Sequence, residues 1–182
     1  MDNTREEQVL NIELILHKAG VGEGMTVADF GCGTGHFVFP IARIVGGKGL
    51  VYAVDILKTA LRSVKRRIEL ENFYNIKPIW SDFEIYKGTK IESSSLDVAL
   101  LVNTLHQSKQ KGAILREVNR TVKKGGVLLV VEWKNVSLPF GPRPEQRVRD
   151  DQVVEIAKKL GLNYEERFDV GKYYYGLIFH KL

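Results

Sequence analysis

The chain has one cysteine, Cys32, so no internal disulfide can hold the fold together, and a reducing compartment suits it. It also has no apolar run approaching the 18 residues that would suggest a membrane-spanning helix. The first twenty residues, MDNTREEQVLNIELILHKAG, carry acidic residues early and no unbroken apolar core, unlike a secretory leader. Repeats, low-complexity tracts and blocks of single-sign charge are lacking as well. The net charge of +5 is scattered along the chain, which fits a solvated basic surface and leaves an anionic partner open. What remains is an ordinary globular composition. Its 182 residues suit a single domain with a full core, expected over residues 1–182, and a cytoplasmic location is the expectation.

Apolar strands alternate with helices along this chain. Val9, Ile12, Leu14, Ile15 and Leu16 lie at helical spacing between Thr4 and Ala19, and Gly20 stops that helix. MTVADF, LVYAVDI, IKPIWSD, SLDVALLVN and GVLLVVEW read as five strands. Helices are expected over Phe37 to Val45, Lys58 to Glu71, Lys109 to Val122, and from a cap at Asp150 or Asp151 to Leu160. Such alternation predicts parallel βαβ units with both sheet faces covered. The chain then breaks the pattern. LNYEERFDV and KYYYGLIFHKL are joined through Gly171, which is too short for a parallel crossover, so the last strand must run antiparallel. The expectation is a doubly wound α/β sheet with its ligand at the carboxyl ends of the strands.

The loudest stretch is VADFGCGTGHF, Val27 to Phe37, with Gly31, Gly33 and Gly35 at alternate positions between a strand and a helix. Glycines there allow a tight turn and a ligand close to the backbone. The spacing is G-x-G-x-G. His36 stands where the dinucleotide fingerprint requires its third glycine, and no G-K-[ST] follows, so neither a nicotinamide site nor a P-loop fits.

With Asp55 ending the second strand and SDF (Asp82) ending the third, the chain resembles the class I S-adenosylmethionine-dependent methyltransferases. LVNTLH after the fourth strand and the terminal strand pair extend the likeness over nearly the whole chain. The resemblance implies a Rossmann-like seven-stranded sheet in the order 3-2-1-4-5-7-6, with strand 7 antiparallel, and S-adenosylmethionine as cofactor. It also implies roles. Gly31, Gly33 and Gly35 would lie against the methionine portion and ribose. Asp29 would support the loop or reach the cofactor's ammonium through water. Asp55, beside Ile56, would accept from both ribose hydroxyls, or else cap the following helix. Asp82 and the Phe83 N–H would meet the adenine edge, or Asp82 would serve a turn. Asn103 would offer carbonyls to the ammonium, or simply end its strand.

Methyl transfer from a sulfonium needs alignment more than dedicated catalytic groups, with a base only where the acceptor must lose a proton. His106, after the fourth strand, is the candidate base, against the alternative of a satisfied or exposed loop histidine. The proline motif that resembles adenine-amine methyltransferases is missing from NTLHQ, and Cys32 sits inside the glycine turn, as a buried structural thiol would. The loop EWKNVSLPFGPRPEQRV resembles that of small quinone-biosynthesis-type C-methyltransferases. Its Trp133, Phe140 and Arg143 suit a planar or anionic acceptor, though a surface loop with solvated arginines is the alternative. The expected activity is methyl transfer to oxygen or carbon of a small acceptor. An RNA or protein methyltransferase, or a non-catalytic cofactor-binding subunit, is the competing reading. No metal is expected, nucleic acid is not favoured, and a homo-oligomer could close the pocket.

Overall fold

The computed structural model describes residues 10–136 and 140–182. Seven strands form one sheet in the order β3-β2-β1-β4-β5-β7-β6. They are β1 (Thr26–Phe30), β2 (Leu50–Asp55), β3 (Ile76–Trp80), β4 (Leu96–Val102), β5 (Val122–Trp133), β6 (Leu162–Val170) and β7 (Tyr174–Lys181). The helices are α1 (Ile12–Lys18), α2 (Val38–Val45), α3 (Lys58–Glu71), α4 (Lys111–Thr121) and α5 (Asp150–Lys159). The first five strands pair in parallel, and β7 pairs antiparallel with both β5 and β6. The inferred order and the reversed last strand are therefore both present.

The sheet separates two cores. One buries Ile15 and Leu16 of α1, Phe39 and Ile41 of α2, and Leu61 and Val64 of α3 against Val27, Val51, Leu100 and Leu129. The other buries Ile114, Leu115 and Val118 of α4, with Val153 and Ala157 of α5, against Ala28, Leu101, Leu128 and Phe179. Each such large aliphatic side chain contributes about 1.5–3 kcal/mol on burial. Residues that alternate along a central strand thus feed opposite cores, which is why these strands read as continuous apolar runs.

Several ends differ from expectation. Asn11 caps α1, its side chain accepting from Leu14 N–H at 2.9 Å; residues 4–9 of the expected longer helix lie outside the described residues. α4 is shorter than the spacing suggests, and β5 takes in Lys123 to Gly126, with a register shift against β4 between Leu96 and Val98. α5 begins on Asp150 itself, with Arg149 as its cap residue. Asp150 is the first helical residue rather than the cap, and its carboxylate takes the Asp151 N–H at 2.9 Å and Arg167 at 2.7 Å.

Candidate active site

The three glycines after β1 all hold positive φ, and each for its own reason. A Cβ on Gly31 (φ 78°) would come within 2.6 Å of the Thr104 hydroxyl, at the end of β4. One on Gly35 (φ 92°) would strike the Phe39 ring at 2.7 Å. One on Gly33 (φ 53°) would meet nothing within 4 Å. So two glycines are small to let protein pack, and Gly33 leaves open space in front of the turn.

The turn hangs from β2. Gly31 and Cys32 donate to the Val54 carbonyl at 2.8 and 3.0 Å, and Gly33 donates to Asp55 Oδ2 at 2.8 Å. Asp55 Oδ1 accepts from Leu57 N–H at 2.8 Å, at the start of α3. One carboxylate therefore fixes both the glycine turn and the next helix, and each oxygen keeps a lone pair for a further donor. Asp29, 2% exposed beneath the turn, is pushed up to about 7, first by burial and then by the charge of Asp55. Burial likewise pushes the Cys32 thiol up, with the charges of Asp29 and Asp55 adding to it, so the thiol is a packed, unreactive group.

A cleft of about 340 Å³ opens in front of this turn. Gly31, Gly33, Asp55, Ile56, Asp82 and Phe83 line it, joined by Leu57, Glu84, Thr104, Gln107, Ser108 and Ile114. The ends of β1, β2, β3 and β4 all contribute. Asp82 closes a turn by accepting from Glu84 N–H at 2.9 Å, and Phe83 packs edge-on against Phe30 at 5.8 Å. Glu84 in turn accepts from the Ser108 hydroxyl at 2.5 Å, tying the loop after β3 to the loop after β4. Asp29, Gly35 and Asn103 do not line the cleft; they support it or border it.

The other half of the sheet's carboxyl edge is built from side chains. Asn103 holds φ 54° past the end of β4. Its backbone carbonyl accepts from Gln107 at 2.9 Å, and its Oδ1 is buried without a hydrogen-bond partner among the described residues. Burial pushes the neighbouring Tyr174 phenol up, and a hydrogen bond from Asn103 opposes that shift. His106 sits on a short 3-10 turn, Leu105–Gln107. Its Nδ1 lies 2.9 Å from Glu132 Oε2, while Glu132 Oε1 accepts the backbone N–H of Leu105 at 2.6 Å and of His106 at 3.2 Å. Glu132 is fully buried, and the His106 side chain is 14% exposed. The next residue, Trp133, points to the opposite sheet face. There it packs tilted against Tyr174 at 4.4 Å and meets Phe140 at 6.1 Å, and Phe140 meets Tyr173 at 5.1 Å.

The loop arginines part ways. Arg147 is buried and donates to the carbonyls of Pro142 at 3.0 Å, Lys134 at 3.3 Å and Val136, so it ties the loop to itself. The Arg143 side chain is 79% exposed, with Glu145 at 3.8 Å. Residues 137–139 of this loop lie outside the described set. Sequence reasoning missed Glu132, Thr104, Gln107 and Ser108. Glu132 did leave a signal: it is the one charged residue in GVLLVVEW, and a lone acid in a central strand needs a partner.

A roomier hollow, about 440 Å³, lies between Lys134, Arg149, Asp150 and Arg167. Its cations are already matched: Lys134 with Asp169 at 3.1 Å, Arg149 with Asp151 at 3.0 Å, and Arg167 with Asp150 at 2.7 Å. Among the described residues it brings no unpaired charge to bear on a ligand. Among the described residues no group of three or more His, Cys, Asp or Glu is arranged to hold a metal ion, and no helix is long and apolar enough to cross a membrane.

A family model described as a methyltransferase domain matches residues 22–175. The 2-phytyl-1,4-naphtoquinone methyltransferase of Nostoc punctiforme is 26% identical over 168 residues, covering 88% of this chain and 72% of that one. The ubiquinone/menaquinone biosynthesis C-methyltransferase of Hahella chejuensis is 31% identical over 127 residues, covering 69% of this chain and 49% of that one. The chain thus spans about half the length of this second relative. The crystal structure of a SAM dependent methyltransferase from Aquifex aeolicus superposes with a TM-score of 0.88 at 25% identity, covering 100% of this chain and 95% of that one.

Proposed function

The chain belongs to the methyltransferase domain family and is an S-adenosylmethionine-dependent methyltransferase, and from that premise we propose that the cleft before Gly33 holds the cofactor and that the acceptor is a small planar hydroxyaromatic. The observation that carries the cofactor reading is convergence. Residues 33, 55 and 82, far apart in sequence, line one cleft that leaves the space before Gly33 open.

In this reading the remaining lone pairs of Asp55 accept from the vicinal ribose hydroxyls, a pair of charge-assisted bonds. Ile56 packs beside the sugar and base. Asp82 and the Phe83 N–H present an acceptor and a donor to the adenine edge. Gly31 and Gly35 keep the turn tight, and Asp29 supports it from below. Asn103 offers acceptor oxygen to the ammonium of the methionine portion. Bound S-adenosylmethionine supplies an electrophilic methyl group; the protein's part is to bind, align and move a proton.

The acceptor reading rests on the wall of Trp133, Phe140, Tyr173 and Tyr174, which suits a flat ring, and on relatives named for quinone substrates. Trp133 and Phe140 would face the ring, and Arg143 would serve an anionic substituent from the solvent side. His106 would take the proton of a ring hydroxyl, making the oxygen or a conjugated ring carbon the nucleophile. Incubation with methyl-labelled S-adenosylmethionine and a chemically reduced 2-substituted 1,4-naphthoquinone tests this. One transferred methyl per product molecule is expected. Cofactor binding without transfer to that ring would overturn the acceptor reading.

A further inference from the structure

The geometry points to Glu132 as a positioning residue that holds His106 in the Nδ1–H tautomer, leaving Nε2 as the atom that accepts the proton. This rests on the reading of His106 as the base.

Glu132 is fully buried at the end of β5, and its carboxylate meets three donors. Two of them, the N–H groups of Leu105 and His106, are backbone and fixed as donors. They hold Oε1 and thereby aim Oε2 at the imidazole. An ionised carboxylate only accepts, so a neutral ring beside it must place its hydrogen on Nδ1. Nε2 then carries the free lone pair. It has no partner among the described residues, on a side chain that is 14% exposed and borders the cleft rather than lining it. The residues after it, Gln107 and Ser108, line the cleft. The proton step balances simply. The acceptor's O–H bond breaks, the proton passes to Nε2, and the electron pair stays on oxygen. Imidazolium forms against the Glu132 carboxylate, which compensates the charge without taking the proton itself.

The register of the sheet makes this arrangement. β4 and β5 pair in parallel through Val102 and Val131, and Asn103 N–H donates to the Val131 carbonyl at 2.8 Å. The turn after β4 therefore sits over the last residues of β5, with Glu132 directed to the face that carries Leu105.

Glu132→Gln separates position from chemistry. Its amide oxygen can keep both backbone donors, and its NH₂ then faces Nδ1 and donates to it. The neutral ring must move its hydrogen to Nε2, where it can no longer accept a proton. Nitrogen-15 imidazole spectra of the full chain read this, with His106 assigned by its loss in His106→Asn. The wild type is expected to show a protonated Nδ1 and a bare Nε2. Glu132→Gln is expected to show the reverse and to turn over a reduced 1,4-naphthoquinone ~10²-fold more slowly or worse. Its affinity for S-adenosylhomocysteine should stay near wild type. A wild-type ring with hydrogen on Nε2, or doubly protonated up to about pH 9, would overturn the proposal, and needs no variant to detect. So would a tautomer reversal that leaves turnover unchanged. The tautomer is read without cofactor, so failure of the chain to bind S-adenosylhomocysteine would sink the cofactor reading separately.

Discussion

On the β1–β2–β3 half of the sheet's carboxyl edge, side chains serve backbone. Asp55 takes the N–H groups of Gly33 and Leu57, and Asp82 takes that of Glu84. On the β4–β5–β7 half, side chains also meet side chains: Glu132 with His106, Trp133 with Tyr174, Phe140 with Tyr173. The first half also depends on strand pairing, since β1–β2 brings Gly33 to Asp55, but its donors are backbone N–H groups that any sequence supplies. The second needs the strands to be in register before any of its groups meet. In the proposed reading the first construction serves the cofactor and the second the acceptor.

That contrast can be broken or sharpened by substitution. The largest expected effect is Asp29→Asn, which removes a buried acid. The carboxyl is raised in the folded state from 3.8 to about 7, so the native chain holds a proton that the unfolded chain gives up between those values. Stability should then fall as pH rises from about 4 to about 7, and stay low above. Three pKa units correspond to about 4 kcal/mol. Asn at this position should stabilise by ~2–4 kcal/mol at pH 8 and by much less at pH 4, measured by urea denaturation at both. Equal effects at the two pH values would break the assignment.

Next come the glycines. Gly31→Ala should cost about 3 kcal/mol, combining left-handed strain with the 2.6 Å approach to Thr104. Gly33→Ala should cost about 1 kcal/mol from strain alone, while its methyl group intrudes on the cleft and weakens cofactor binding. If instead Gly31→Ala reduced cofactor affinity with stability intact, the division of labour within the turn would be wrong.

Much of the first half was legible beforehand. The glycine spacing, Asp55 and Asp82 each follow a strand directly, so local pattern located them. The antiparallel last strand followed from the brevity of the Gly171 connection. His106 was found as a residue, but its partner was not, because Glu132 is 26 residues away and only the β4–β5 register joins them. The loop arginines looked alike in sequence. Which one turns inward depends on where the carbonyls of Pro142, Lys134 and Val136 converge, and that is a property of the folded loop path. Asp150 falls one residue inside its helix rather than at the cap, and there its carboxylate meets Arg167 of a later strand.

The smallest expected effect is Arg143→Ala, which should change thermal stability by no more than ~0.5 kcal/mol, since the side chain is mostly in solvent. A large loss would show that the exposed arm belongs to the loop's structure after all.

Asp55 is proposed to join the glycine turn to the cofactor. Calorimetric titration of the full chain with S-adenosylhomocysteine tests it most directly. One site per chain is expected, weakened by ~1.5–3 kcal/mol in Asp55→Ala. No binding by the wild type, or an affinity unchanged by that substitution, would contradict it.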